Sequence, residues 1–362
     1  MRGLEALPLP AREEVVQFAN ALRALPQVSQ GTLAALKELR LPGRFKGTAE
    51  EAAQQARALH RACDLHTLDV SGRETDDVSA LAGCASLRTL EISSSAVSNL
   101  SPLAGCVALH TLKLSHCEEL TDVSALAGCA RLHTVDLMRC GVTDLSSLAG
   151  CARLHTLTLE LGLTNFSGLA GCSALTTLYL FSCERVTDLS GLAGCAALDM
   201  ILLCGVSGLT DISALAGCAA LCKILLLGSE ALTDVSPLAG CTRLHTLMIA
   251  NCGGVSDVSA LAGCTTLHLL HVSDCSAVAD VSALAGCPAL HTLSINRTNV
   301  TDVSALANCA TLRKLDLRNS PGITDVSALA NCATLRTLNL EGCQGVTDVS
   351  ALSGLAHLSL ST

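Results

Sequence analysis

Three kinds of reactive side chain recur along this chain at regular intervals. The first is a carboxylate. Asp77, Asp122, Asp144, Asp188, Asp211, Asp234, Asp257, Asp280, Asp302, Asp325 and Asp348 each stand just ahead of V-S-A-L or a close variant, and Asn99 and Asn165 take the place twice. A row of carboxylates suits calcium, which takes oxygen ligands. An Asp or Asn ahead of a short helical turn also accepts free backbone N–H groups, and the exchange of Asp for Asn favours this use. The second is a thiol. One column follows Gly or Asn: Cys84, Cys106, Cys129, Cys151, Cys172, Cys195, Cys218, Cys241, Cys264, Cys287, Cys309 and Cys332. Another holds Cys117, Cys140, Cys183, Cys252, Cys275 and Cys343. Zinc sites use paired ligands such as CxxC, and the chain has no CxxC. A free Cys otherwise packs as a small hydrophobe with a weak S–H donor. The third is an imidazole, at His66, His110, His133, His155, His245, His268 and His291. Stacked His could chelate a metal, but Arg88, Thr176, Arg313 and Arg336 occupy the same place, as suits a polar edge position. Ser, His and Asp are abundant only as columns, and no G-x-S-x-G elbow or P-loop is present. We therefore expect no catalytic residue, no metal site and no cofactor.

The columns exist because the chain repeats. The Leu of G-C-x-x-L, taken as step zero, falls at Leu65, Leu87, Leu109, Leu132, Leu154, Leu175, Leu198, Leu221, Leu244, Leu267, Leu290, Leu312 and Leu335, with spacings of 21 to 23 residues and a degenerate copy at Leu358. L-H-T-L-x-L alternates, so the Leu at steps three and five share one face of a short strand. The next apolar set, V-x-x-L-A, breaks period two and follows an Asp. It reads as a tight turn into a short helical or 3-10 segment. One such unit cannot bury its own apolar face, and stacking completes the core. Composition agrees: half of the residues are hydrophobic but only 1% are aromatic, as many thin Leu, Val, Ala and Cys layers require. A strand and a helical turn every ~20–29 residues make a leucine-rich repeat. The expected fold is an α/β solenoid: a leucine-rich-repeat horseshoe of about 13–14 repeats with a parallel inner sheet and short 3-10 or helical outer segments.

L-x-x-L-x-L-x-x-C followed by V-T-D-V-S-A-L resembles the short repeats of internalins and of the phosphatase-1 regulatory leucine-rich-repeat proteins. S-P-L, frequent in those repeats, stands at Ser101–Leu103 and Ser236–Leu238. Where those families carry Asn at step eight, this chain has Cys or a small residue. The G-C…L-H-T-L…C form resembles kinetoplastid leucine-rich-repeat proteins, some of them described as adenylate cyclase regulators. The resemblance covers about residues 64–360 and implies a fold and a binding role.

Residues 1–63 read differently, as a helical N-terminal cap ahead of a solenoid at 64–362. R-E-E-V-V-Q-F-A-N-A-L-R-A-L at 12–25 and T-L-A-A-L-K-E-L at 32–39 have helical spacing, and Thr48 with Glu51 suits a capping box. An F-box-like adaptor is the sharper alternative for this segment, but its pattern is not visible. No signal peptide or membrane span is read, so the expected location is a reducing intracellular, cytoplasmic one, with cytoskeletal association open. The 21 Cys form an odd set in a long chain, which argues against a secreted disulfide framework. A net charge of −9 disfavours nucleic acid. The cluster Arg297, Arg313, Lys314, Arg318 and Arg336 has no aromatic residues beside it for base stacking. The last copy, L-A-H-L-S-L-S-T, leaves a strand edge that a final turn or a larger assembly is expected to cover.

Steps two, four and six point away from the Leu core, so their side chains are free of the fold's demands. At both ends of the array they are polar. In the middle they read Tyr179, Phe181, Met200, Leu202, Leu225, Leu227 and Met248, followed by Leu269 and His271 and preceded by Glu160. Apolar patches with polar rims mark interaction sites, and aromatics and Met are enriched in interface cores. The expected function is a non-enzymatic scaffold that binds a protein partner through this face. A structural subunit of a cytoskeletal, flagellar or other large complex, and an adaptor for a ubiquitin ligase, phosphatase or cyclase, remain alternatives. The same patch could instead be covered by a helix, a further domain or a second copy, or could be neutral drift toward Leu.

Overall fold

The computed structural model describes residues 38–40, 66–69, 78–93, 96–160 and 162–362. They fall into two units, Met1–Gly162 and Leu163–Thr362. In the first, β1 (Glu38–Arg40), β2 (Thr67–Asp69), β3 (Thr89–Ser93), β4 (Thr111–Ser115), β5 (Thr134–Leu137) and β6 (Thr156–Glu160) pair in chain order, all parallel. In the second, β7 (Thr177–Phe181), β8 (Met200–Cys204), β9 (Lys223–Leu227), β10 (Thr246–Ala250), β11 (Leu269–Ser273), β12 (Thr292–Asn296), β13 (Lys314–Asp316), β14 (Thr337–Asn339) and β15 (Ser359–Ser361) do the same. The strands β2 to β15 are the fourteen copies seen in the sequence. β1 is an addition: it takes Glu38 and Leu39 from the end of the segment read as helical and pairs them with Thr67 and Leu68. A three-residue strand carries too little alternation to be told from a helix end. The rest of the helical reading of residues 1–63, the capping box included, lies outside the described residues.

The core of each layer is what the spacing requires. Around β9, Leu221, Ile224, Leu226, Leu232, Leu238 and Cys241 are fully buried. Burying one Leu or Ile is worth about 1.5–3 kcal/mol, and a layer obtains it only between two neighbours. The outer segments are 3-10 turns such as Ser124–Gly128 and Ser259–Gly263. Their i→i+3 bonds continue unbroken into the next anchor: Leu126 N–H to Val123 O, Cys129 N–H to Leu126 O and Leu132 N–H to Cys129 O, each at 2.9 Å.

The Asp column holds these turns. Asp122, Asp257 and Asp302 each accept the N–H of the Ser two residues on at 2.7 Å, and Asn99 does the same for Ser101 at 2.8 Å. The residue at the N-cap itself is Val123, Val258 or Val303, so the carboxylate acts one place earlier than a cap, as an Asx turn. The Cys column ties layer to layer. Cys129 Sγ donates to Leu103 O at 3.5 Å, Cys287 to Leu261 O at 3.3 Å and Cys332 to Leu306 O at 3.3 Å. At step eight Cys343 reaches Leu317 O at 2.9 Å, and Ser320 Oγ makes the same bond to Ile295 O at 3.1 Å.

Every described Cys is unbridged, and all but Cys204 and Cys222 are buried. Burial pushes the Cys106, Cys241 and Cys287 thiols up to about 12, which suppresses the reactive thiolate. Of the described thiols in the folded chain, Cys204 and Cys222 are therefore expected to react with a thiol reagent first, the others only as layers open. All 21 should titrate in denaturant without reductant, and a large shortfall would refute the packing role. Ser229 is the poor fit. It is fully buried at step eight and its Oγ has no hydrogen-bond partner. An orphaned buried hydroxyl costs about 1–3 kcal/mol. Ser229→Cys should thus raise stability by about 1 kcal/mol in denaturant melts.

Step seven turns the chain out of the strand in the left-handed region, at φ of 52–57° for His116, Arg139, Ser182, Asn251, Asp274, Arg297 and Asn319. That conformation aims the step-seven N–H at the next layer, as in Ser182 N–H to Cys204 O at 2.7 Å and Asn251 N–H to Ser273 O at 3.0 Å. Gly205 (φ 69°) and Gly228 (φ 71°) fill the same place without strain.

Candidate partner-binding face

Strand alternation places steps two, four and six on one face, and the register aligns them in rows. Tyr179, Leu202, Leu225 and Met248 are paired in series across β7 to β10, as are Phe181, Cys204, Leu227 and Ala250. Met200 pairs with Lys223, which pairs with Thr246. On β11 the rows continue as Leu269 and His271. All nine of these sequence-predicted residues in the second unit share this face and are half-buried. The tenth, Glu160, belongs to the first unit. It lies on β6, where Arg139 Nε sits 3.5 Å from its carboxylate.

The structure adds residues that the sequence reading passed over. Ala250, Ser273 and Ser294 are small and buried on this face, at 9, 6 and 8% exposure. Beside them is a hollow of about 270 Å³, lined among others by Met248, Leu269, His271, Ser294, Lys314 and Asp316. Ser294 is the reason for the hollow, since the step-four row runs His271, Ser294, Asp316 across β11 to β13. The signal was available as one small residue between two large ones in a column. Two of the five residues in the basic cluster read at Arg297, Arg313, Lys314, Arg318 and Arg336 are paired. Arg297 pairs with Asp274 at 3.1 Å, and Arg318 grips Asp316 with Nη2–Oδ2 at 2.7 Å and Nε–Oδ1 at 2.9 Å.

Parallel strands in chain order, 3-10 turns opposite them and one Leu-lined layer per copy define the architecture. A model described as Leucine Rich repeat matches residues 331–353. The fold is that of a leucine-rich-repeat solenoid. InlF, an internalin of Listeria monocytogenes str. 4b F2365, superposes with a TM-score of 0.71 over 86% of this chain and 94% of its own, at 24% identity. A leucine-rich-repeat protein of Leptospira interrogans gives 0.55 over 92% and 98%, at 11% identity. The functional domain of InlJ from Listeria monocytogenes, which includes a cysteine ladder, gives 0.52 over 76% and 62%, at 18% identity. No curated protein sequence matches the chain significantly. These likenesses concern the fold.

At the edge of this leucine-rich-repeat sheet the His column forms two stacks. His110, His133 and His155 lie 4.7 and 4.0 Å apart, ring centre to ring centre, and His245, His268 and His291 lie 4.0 and 4.9 Å apart. Nδ1 of His268 donates to Thr266 O and Nδ1 of His291 to Ala289 O, each at 2.7 Å. A carbonyl only accepts, so these rings carry their proton on Nδ1. Among the described residues no group of three His, Cys, Asp or Glu is arranged to hold a metal. No helix among them is long and apolar enough to cross a membrane.

Burial first, and then the neighbouring imidazoles, push His133 and His245 below the usual His value. The unfolded chain therefore takes up these protons first, so stability falls as pH drops below about 6.5. The turn Asp have the opposite origin. Hydrogen bonds from the Ser two residues on hold Asp122, Asp234, Asp257, Asp302, Asp325 and Asp348 below the usual carboxylate range. Their contribution is complete above about pH 4 and lost as pH falls further. The melting temperature should accordingly drop in two stages between pH 7.5 and 3. His133→Thr with His245→Thr should reduce the first drop and leave the second.

Proposed function

We propose that this chain is a non-enzymatic scaffold that binds a protein partner through the strand face of β7–β11. Leucine-rich repeats are typically protein-interaction platforms. The observation that carries the reading here is the register. It gathers Tyr179, Phe181, Met200, Leu202, Leu225, Leu227 and Met248, from four successive strands, into one half-exposed apolar surface. Elsewhere the same steps are filled mostly by Thr, Ser, Asp, Asn, Glu, Lys and Arg, with Met138 an exception, so the repeat does not require large apolar groups there. Unpaired apolar surface of this kind drives association. The unbridged Cys columns support a reducing, intracellular setting, and the Cys at step eight supports kinship with the kinetoplastid repeat proteins.

The test is site-specific photo-cross-linking in the native cell. A benzoylphenylalanine at Leu225 should capture a protein partner, and the same group at Asp257 on an outer turn should not. Equal capture from both sites, or capture only from Asp257, would overturn the reading.

A further inference from the structure

We propose that this face takes an extended peptide segment with a carboxylate at each end of a short apolar run, the two carboxylates meeting Lys223 and Lys314. The proposal rests on the reading of β7–β11 as the docking face and names the chemistry of what docks there. Charge complementarity carries it. On steps two, four and six of β7 to β14 the formal cations are Lys223, Lys314 and Arg318, and the anions are Asp316 and Glu341. Arg318 and Asp316 neutralise each other. Lys223 and Lys314 are exposed and make no ion pair among the described residues. The chain's surplus of acid does not contradict this, because ten of its carboxylates are spent on the outer turns, where each accepts the N–H of the Ser two residues on.

Geometry then fixes the spacing. Lys223 and Lys314 both sit at step two, on β9 and β13, four strand intervals apart. At about 4.8 Å per interval that is about 19 Å, or about six residues of an extended peptide at ~3.3 Å each. Six is even, so side chains at positions 1 and 7 of the segment face the sheet together, as do those at 3 and 5. The latter two fall between β10 and β12, over Leu269 and beside Met248. The recognised pattern is acid-x-apolar-x-apolar-x-acid. The carboxylate at Lys314 enters the hollow over Ser294. Ser294 Oγ accepts from Asn296 Nδ2 at 3.0 Å, which leaves its O–H to donate. Ammonium and hydroxyl together make a charge-assisted site, and the Arg318 clamp on Asp316 removes the charge that would repel the guest.

A phage-displayed library of random dodecapeptides, panned on the full chain, tests this. The expected consensus contains two acidic residues six apart with apolar residues between. Lys223→Glu with Lys314→Glu should weaken the selected peptides about tenfold or more and should restore affinity for synthetic counterparts ending in Lys. Selected peptides without the acid pair, or indifferent to the charge reversal, overturn the proposal. If they nonetheless lose binding to Leu202→Asp with Leu225→Asp, the apolar docking face stands without it. If they respond to neither pair of changes, both readings fall. No enrichment over the uncoated support also overturns the proposal, while the cross-linking experiment still decides the docking face.

Discussion

Phe181→Asp combined with Leu225→Asp abolishes recovery of the principal partner while the purified chain still melts cooperatively. Phe181 is at step six of β7 and Leu225 at step four of β9, and both are half-buried on the apolar face. Residues that anchor the centre of an interface are worth about 2 kcal/mol or more each. Losing two such anchors amounts to about 4 kcal/mol, close to a thousandfold in affinity. Neither side chain belongs to the Leu core, where Leu180 and Leu226 are fully buried. The circular-dichroism melt should therefore move little, since surface changes stay within about 0.5 kcal/mol. Undiminished recovery by a well-folded double variant removes the face from consideration.

Gly191→Ala is expected to be the most damaging small change in the chain. In the outer turn Ser190–Leu192, Gly191 takes the place that is Ala in most copies, and it is buried. A Cβ there would run into the carbonyl and Cβ of Phe166 in the layer before. Phe166 fills the place held by Val, Leu or Ile elsewhere and is 1% exposed. The obstacle is mostly backbone, which cannot swing aside, so the whole layer must shift. Overpacking of this kind costs about 1–3 kcal/mol. Gly263→Ala is the control: a Cβ there meets nothing within 4 Å, so the variant should be neutral or slightly more stable. A Gly191→Ala melt indistinguishable from that of Gly263→Ala would mean that the layers slide more freely than the packing implies.

The repeat made much of this legible in advance. One period fixes the phase of every column, so the buried Leu, the packed thiols and the Asp-held turns could be read from single letters. What escaped reading was relational. Asp274 and Arg297 lie 23 residues apart and Glu91 and Lys113 lie 22 apart, each pair at one step of adjacent layers and within 3.1 Å or less. Read along the chain, these charges look free; read down a column, they pair. The hollow over Ser294 is likewise a property of three strands. Phe166 and Gly191 exchange bulk between two layers, which no single copy reveals. β1 escaped because its layer carries no recognisable copy of the repeat.

The thiol bonds have a last consequence, for heredity rather than stability. Through most of the described layers an S–H is donated to the carbonyl of the layer before, and an equivalent carbonyl is offered to the layer after. Duplicating or deleting one whole layer leaves no donor without an acceptor. The near-identical segments at 122–129, 257–264 and 280–287 give misaligned gene copies ready places to recombine. Copy number in such a gene can drift with little penalty wherever layers are interchangeable. Between β9 and β13 they are not, because a lost layer there would change the distance between Lys223 and Lys314. Natural variants of different length should keep that interval and vary outside it.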